Sequence, residues 1–190
     1  IYTGNVKVDG QHDFIHTGRE ANVIRIDRYP DGTWSPKRLL LSWQDYPSFC
    51  TRHVRDPKVW RQGHEWFMVT GARRQDDQGM VLLWRSDDGE QWHFKSVITS
   101  EKAFGYMWEC PDLFRLDGHW FLSFSPQGVT REQNRRQNIY LSGYIPMKGG
   151  EDPCTAELDG DFVDWDYSFD FYAPQTFPTP DGRRVLFGWM

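Results

Sequence analysis

The sequence predicts an all-β chain built from successive antiparallel sheets, arranged as the blades of a propeller. Three segments share one plan: "RDPKVWRQGHEWFMVTGAR" from Arg55, "ECPDLFRLDGHWFLSFSPQ" from Glu109 and "YAPQTFPTPDGRRVLFGWM" from Tyr172. Each has a Pro near its start, an apolar run, a polar turn containing Gly and a second apolar run. That is a hairpin pattern, because Gly supplies the positive φ a tight turn needs. The ten Trp, eight Tyr and thirteen Phe are residues that suit a pleated, half-buried surface. Helical periodicity is almost absent.

In chain order, Ile1 to Val6 reads as a strand already under way, the second of a blade that closes near Ser42. Ala21 to Leu41 forms a hairpin around "YPDG". The first repeat copy follows, and then a hairpin from Gly79 to Ile98 around "SDDGEQ". After the second copy the match weakens to "NIYLSGYIP" and "DFVDWDYSF", with a polar loop from Lys148 to Gly160 between them. The third copy ends the chain. Residues 1–50 are thus the rest of one blade, 51–105 and 106–166 are whole blades, and 167–190 begin the last. Four-stranded units of about 40–60 residues are the size of propeller blades. A sandwich would not require similar residues at the start of each unit.

The first strand of a blade lines the central axis, so residues at its start converge on one end of a funnel. Arg55 and Asp56, Glu109, and Asp170 to Tyr172 occupy that position, with 53 residues from Asp56 to Glu109 and 63 from Glu109 to Tyr172. A propeller must close its ring to cover its sheet edges. The chain therefore reads as an internal piece of a longer protein.

A hydrophobic fraction of 38% with 26% charge is that of a soluble globular chain. The net charge of −5, mixed in sign along the chain, argues against a nucleic-acid or anionic-membrane partner and favours a neutral small molecule. No apolar run is long enough to span a bilayer, and "IYTGNVKVDG" lacks signal-peptide character. Cys50, Cys110 and Cys154 are odd in number and widely spaced, which suggests neither a disulfide framework nor a zinc site, and points to a reducing compartment. His12 and His16 have the i, i+4 spacing of a helical metal pair, but they stand in a polar loop between strands. No metal or other cofactor is expected.

"RDPKVW" (Arg55 to Trp60), "MWECPDLF" (Met107 to Phe114), "DFYAPQTF" (Asp170 to Phe177) and "FGWM" (Phe187 to Met190) resemble the signature strands of glycoside hydrolase family 32, the invertase and fructan-hydrolase family. "YTGN" and "FSPQG" are also in register, so the resemblance runs the length of the chain. It is closest to the bacterial intracellular sucrose and sucrose-6-phosphate hydrolases, which implies a cytoplasmic location. The resemblance implies a five-bladed propeller, of which this chain holds three to three and a half blades of the catalytic domain. It implies Glu109 as general acid/base and Asp56 as the carboxylate that binds fructosyl hydroxyls and steadies the transition state. It also implies that Arg55 binds the fructosyl unit and that Asp170, Tyr172 and Trp189 line its pocket. The family's nucleophile, an Asp in a Trp-x-Asn-Asp-Pro-Asn-Gly strand, has no counterpart here. A retaining glycosidase needs two carboxyl groups, so these residues alone are expected to be inactive.

Glu109 must serve first as acid and then as base, which requires a carboxyl tuned toward the working pH. Burial beside Trp108 and Met107 would raise its pKa, and Arg55 would oppose that. Asp56 is expected to stay ionised beside Arg55. Trp108 and Trp189 are candidate sugar-stacking residues, with core packing the alternative for Trp108. Cys110 has no nearby His to activate it and reads as a small buried residue beside the substrate. The basic stretch "TREQNRRQN", Thr130 to Asn138, is either a solvated loop or a holder for phosphate on sucrose 6-phosphate. The rival readings are a fructan hydrolase or fructosyltransferase of the same family, and a sugar-binding propeller without chemistry.

Overall fold

The computed structural model describes residues 1–8, 19–137, 139–167 and 170–190, with side chains described for 1–4 and for the same residues from 22 onward. His12 and His16 lie outside the described residues. Strands β1 (Tyr2–Val8), β2 (Arg19–Arg25) and β3 (Arg38–Leu41) form one antiparallel sheet in chain order. A second, four-stranded sheet comprises β4 (Cys50–Gln62), β5 (Glu65–Arg74), β6 (Gly79–Ser86) and β7 (His93–Ile98). The third contains β8 (Met107–Leu116), β9 (His119–Gln127) and β10 (Gly143–Lys148). Two short strands, β11 (Glu157–Leu158) and β12 (Val163–Asp164), both pair with β10, so its outer strand is split in two. The last hairpin is β13 (Tyr172–Pro178) with β14 (Arg184–Trp189). The only helical turn among the described residues is a three-residue 3-10 helix, Pro153–Thr155, capped by the Asp152 carboxylate on the Cys154 N–H at 2.9 Å.

The all-β expectation holds, and the hairpin turns follow their sequence signals. Asp117 and Gly118, with φ of 50° and 82°, make the two-residue link of β8 to β9, the mirror-image turn whose twist matches the strands it joins. One local expectation differs. Strand β10 starts at Gly143 and not at Asn138, and the polar stretch after it contains the 3-10 turn and β11. Strand β1, expected as the second strand of its blade, lies at its sheet's edge next to β4. Ile1 and Tyr2 line one cavity with Lys58, Asp112 and Thr176.

The second sheet is buried on both faces, which explains why "GMVLLW" is a continuous apolar run without alternation. Phe67, Val69, Val81 and Leu83 face one core with Trp108, Leu122 and Phe124 of the third sheet. Their neighbours Met68, Ala72, Met80, Leu82 and Trp84 face the other, with Val23 and Leu41 of the first. Face-to-face stacking of sheets about one axis is the packing of propeller blades.

Trp108 is the wedge between the second and third sheets. It is fully buried, stacks on Phe124 with ring centroids 4.2 Å apart, and donates its indole N–H to the Phe104 carbonyl at 2.7 Å. A Cβ at Gly79 would overlap the indole, and one at Gly71 would overlap the Trp108 carbonyl. Gly79→Ala is therefore expected to destabilise the fold by about 1–3 kcal/mol, read as a lower denaturant midpoint. An unchanged midpoint would show that the sheets slide apart at no cost.

Candidate active site

All three repeat copies break their ladders at one place. The register shifts between Arg55 and Lys58, between Glu109 and Asp112, and between Tyr172 and Gln175. At each break the residue before the proline is left-handed: Asp56 at φ 58°, Cys110 at 49° and Ala173 at 51°. Residues before proline ordinarily stay extended, and a left-handed non-glycine residue costs about 1–2 kcal/mol. The bulge re-aims the side chains, which would otherwise alternate across the strand. Arg55 and Asp56 thereby both reach the partners presented by Glu109 and Cys110. Arg55, Glu109 and Tyr172 are the equivalent positions, 54 and 63 residues apart. These are the residues from which the three copies were aligned in sequence, although the spacing of 53 was counted from Asp56.

Glu109 is held from both sides by the neighbouring sheets. Its Oε1 accepts from Arg55 Nη2 at 2.6 Å and from Nε at 3.0 Å. Its Oε2 accepts from the Tyr172 hydroxyl. Burial pushes the Tyr172 phenol above its ordinary value and the Glu109 carboxylate adds to this, so the hydroxyl stays a donor. Arg55 Nη1 lies 2.7 Å from His53 Nδ1, which makes that nitrogen an acceptor.

Asp56 lies one sheet over from Cys110. Its Oδ2 accepts the Cys110 N–H at 3.0 Å and stands 3.7 Å from the Cys110 thiol and 3.9 Å from Arg55 Nε. Burial raises the Asp56 pKa above the ordinary carboxylate range, with the Cys110 N–H and Arg55 pulling against it and Glu109 adding to it. The Cys110 thiol is pushed up by burial and by both carboxylates, so it stays protonated and is no nucleophile.

The remaining expected site residues are less closely gathered. Trp189 is 75% exposed and pairs directly with Tyr172 across β13 and β14, which places it on the same face. Asp170 is exposed just ahead of β13. Trp108 is where the structure departs from the sugar-stacking expectation: fully buried, its indole has no face open to a ligand.

Further along the same inner strands lies a cavity of about 770 Å³ that does not include Glu109 or Asp56. Its buried Asp112 accepts the Thr176 N–H at 2.6 Å, the Thr176 hydroxyl at 2.7 Å and Lys58 Nζ at 3.4 Å. Lys58 also donates to the Thr176 carbonyl at 2.5 Å. One carboxylate thus ties three sheets together around the axis. Sequence reasoning missed it, although Lys58 and Asp112 stand at the same 54-residue offset as Arg55 and Glu109.

All 190 residues match the family described as glycosyl hydrolases family 32 N-terminal domain. The chain is 46% identical over 196 residues to sucrose-6-phosphate hydrolase of Bacillus subtilis strain 168, and 39% identical over 193 residues to that of Escherichia coli. Each alignment covers 100% of this chain and 39% of the relative. Among solved structures, the Bombyx mori family 32 β-fructofuranosidase superposes with a TM-score of 0.79 at 33% identity, over 98% of this chain and 39% of that one. A variant of that silkworm enzyme in complex with sucrose gives 0.77 at 34% identity. The chain spans about two fifths of the length of these relatives. With its repeat motifs, stacked sheets and full-length match, this chain belongs to the glycosyl hydrolase family 32 N-terminal domain family.

Proposed function

We propose that the full-length protein is a β-fructofuranosidase that hydrolyses sucrose or sucrose 6-phosphate with retention, and that this chain is part of its catalytic propeller. The observation that carries the reading is the Glu109 carboxyl, fixed at the axis by Arg55 on one oxygen and Tyr172 on the other. Oε1 is committed to two guanidinium N–H groups, so the proton that Glu109 delivers sits on Oε2. From there it passes to the glycosidic oxygen as the fructosyl bond breaks, and the same carboxylate then takes a proton from the attacking water.

Asp56 supplies negative charge beside the sugar, where it accepts hydroxyl hydrogen bonds and offsets developing oxocarbenium charge. Trp189 and Asp170 flank the fructosyl side through the last hairpin. The nucleophilic carboxylate belongs to a motif this sequence does not contain, so the reaction is a property of the full-length protein. The substrate is a small carbohydrate, and the location is cytoplasmic, in keeping with three free cysteines. No helix among the described residues is long and apolar enough to cross a membrane.

Incubating full-length protein with sucrose and following the fructose C2 resonances by 13C NMR, before the released sugar mutarotates, tests the reaction directly. The expected first product is β-fructofuranose. Absence of fructose release, or release of the inverted anomer, would refute the reading.

A further inference from the structure

A cleft of about 340 Å³ meets the acid/base through Tyr172, which holds the Glu109 oxygen that Arg55 does not, and its lining includes Gln127, Arg131, Arg136, Tyr140 and Tyr172. Tyr172 belongs to both places: its hydroxyl donates to Glu109, and its ring meets Tyr140 edge-on at 5.3 Å within the cleft lining. The topology puts the rest there. Gln127 at the end of β9 pairs with Met107 at the start of β8, two residues before Glu109. The β9–β10 connection therefore leaves from the end of the sheet where the acid/base stands. A general acid donates to the leaving group, so space that opens beside Tyr172, the partner of the proton-bearing Glu109 oxygen, suits the leaving group.

The charge of this loop is at odds with a chain of net charge −5. "TREQNRRQ" carries three Arg against one Glu. Arg135 is committed to Asp164. Arg136 shares Glu132 at 2.6 Å and lies over the Phe104 ring at 5.1 Å, while its Nε is buried without a partner. Arg131 has no hydrogen bond or ion pair among the described residues. Two guanidinium groups in one cleft, with donors unspent, match the fork geometry and double charge of a phosphate monoester, which a neutral sugar would leave uncompensated.

Building on the fructosidase reading of the neighbouring site, we propose that the β9–β10 loop is the leaving-group subsite and that Arg131 and Arg136 bind a phosphate on the departing sugar. In sucrose 6-phosphate that phosphate is on the glucosyl unit, the part Glu109 releases. The loop would then set the preference between phosphorylated and free disaccharide, while the Arg55–Asp56 side handles the fructosyl unit common to both.

In the full-length protein, Arg131→Gln is expected to lower the ratio of kcat/KM for sucrose 6-phosphate to that for sucrose by about tenfold to a hundredfold, the worth of one charge-assisted contact. Arg136→Gln should act in the same direction, and added salt should narrow the gap between the substrates. An unchanged ratio in Arg131→Gln, whose side chain holds no partner the fold depends on, would overturn the proposal, as would an equal fall on both substrates. Calorimetric titration with glucose 6-phosphate and with glucose separates this site from the reaction. Arg131-dependent binding of glucose 6-phosphate by a protein that cleaves neither disaccharide would keep the anion site and refute the fructosidase. Sucrose cleavage by a protein that binds glucose 6-phosphate no better than glucose would do the reverse.

Discussion

Glu109→Gln in the full-length protein is expected to lower sucrose turnover by about 10²–10⁴-fold, the usual contribution of a positioned acid/base. The substitution is close to isosteric. Its amide oxygen can still accept from Arg55, and its other end still meets Tyr172, so the three-sheet contact at the axis survives. What it cannot do is carry a transferable proton. Two readouts distinguish lost proton transfer from lost structure. Sucrose should still bind with a dissociation constant close to that of the native protein, and a β-fructofuranoside whose leaving group departs without protonation should lose far less in bond cleavage than sucrose does. Turnover of sucrose near the native rate would remove Glu109 from its role. A loss equal on both substrates would mean that it positions the site and transfers no proton.

The hairpins and the repeat were legible because their signals are local. Gly118 and the apolar runs beside it dictate a tight turn and two strands whatever surrounds them. The convergence of Arg55, Glu109 and Tyr172 was legible as well, since a repeat with equivalent strand starts has to bring those starts to one axis. The bulge that follows each of these residues is not written locally. Proline favours an extended residue before it, yet Asp56, Cys110 and Ala173 are all left-handed, a conformation imposed by packing between sheets.

Trp108 shows the complementary limit. An aromatic residue beside a catalytic acid suits a sugar face and a core wedge equally well in sequence. The structure decides for the core because Gly71 and Gly79 of the adjacent sheet clear the space it fills. Asp112 escaped notice because a buried acid and a lysine 54 positions earlier look like ordinary strand charges until the sheets meet.

Asp56→Asn is expected to slow sucrose hydrolysis by about 10²–10³-fold, the scale seen when one preorganised electrostatic partner of a transition state is removed, while making the folded protein more stable at neutral pH. The two effects share one cause. Burial raises the Asp56 pKa, which means the fold disfavours its charge, and the Cys110 N–H and Arg55 compensate only in part. A group whose folded pKa lies above its unfolded one binds its proton more tightly in the native state. The penalty is therefore absent in acid, below the unfolded carboxylate value, and develops as pH rises through the folded pKa. The asparagine oxygen still accepts the Cys110 N–H but carries no charge to desolvate. Its denaturant midpoint should match the native protein's near pH 3 and exceed it at pH 7, a gain in stability at the expense of rate of the kind active sites show. The native enzyme's acid limb should shift upward too, because Asp56 must ionise to act. A variant less stable than the native protein at pH 7 would mean that the Arg55 attraction outweighs burial. A variant with near-native turnover would mean that the charge of Asp56 plays no part in the transition state.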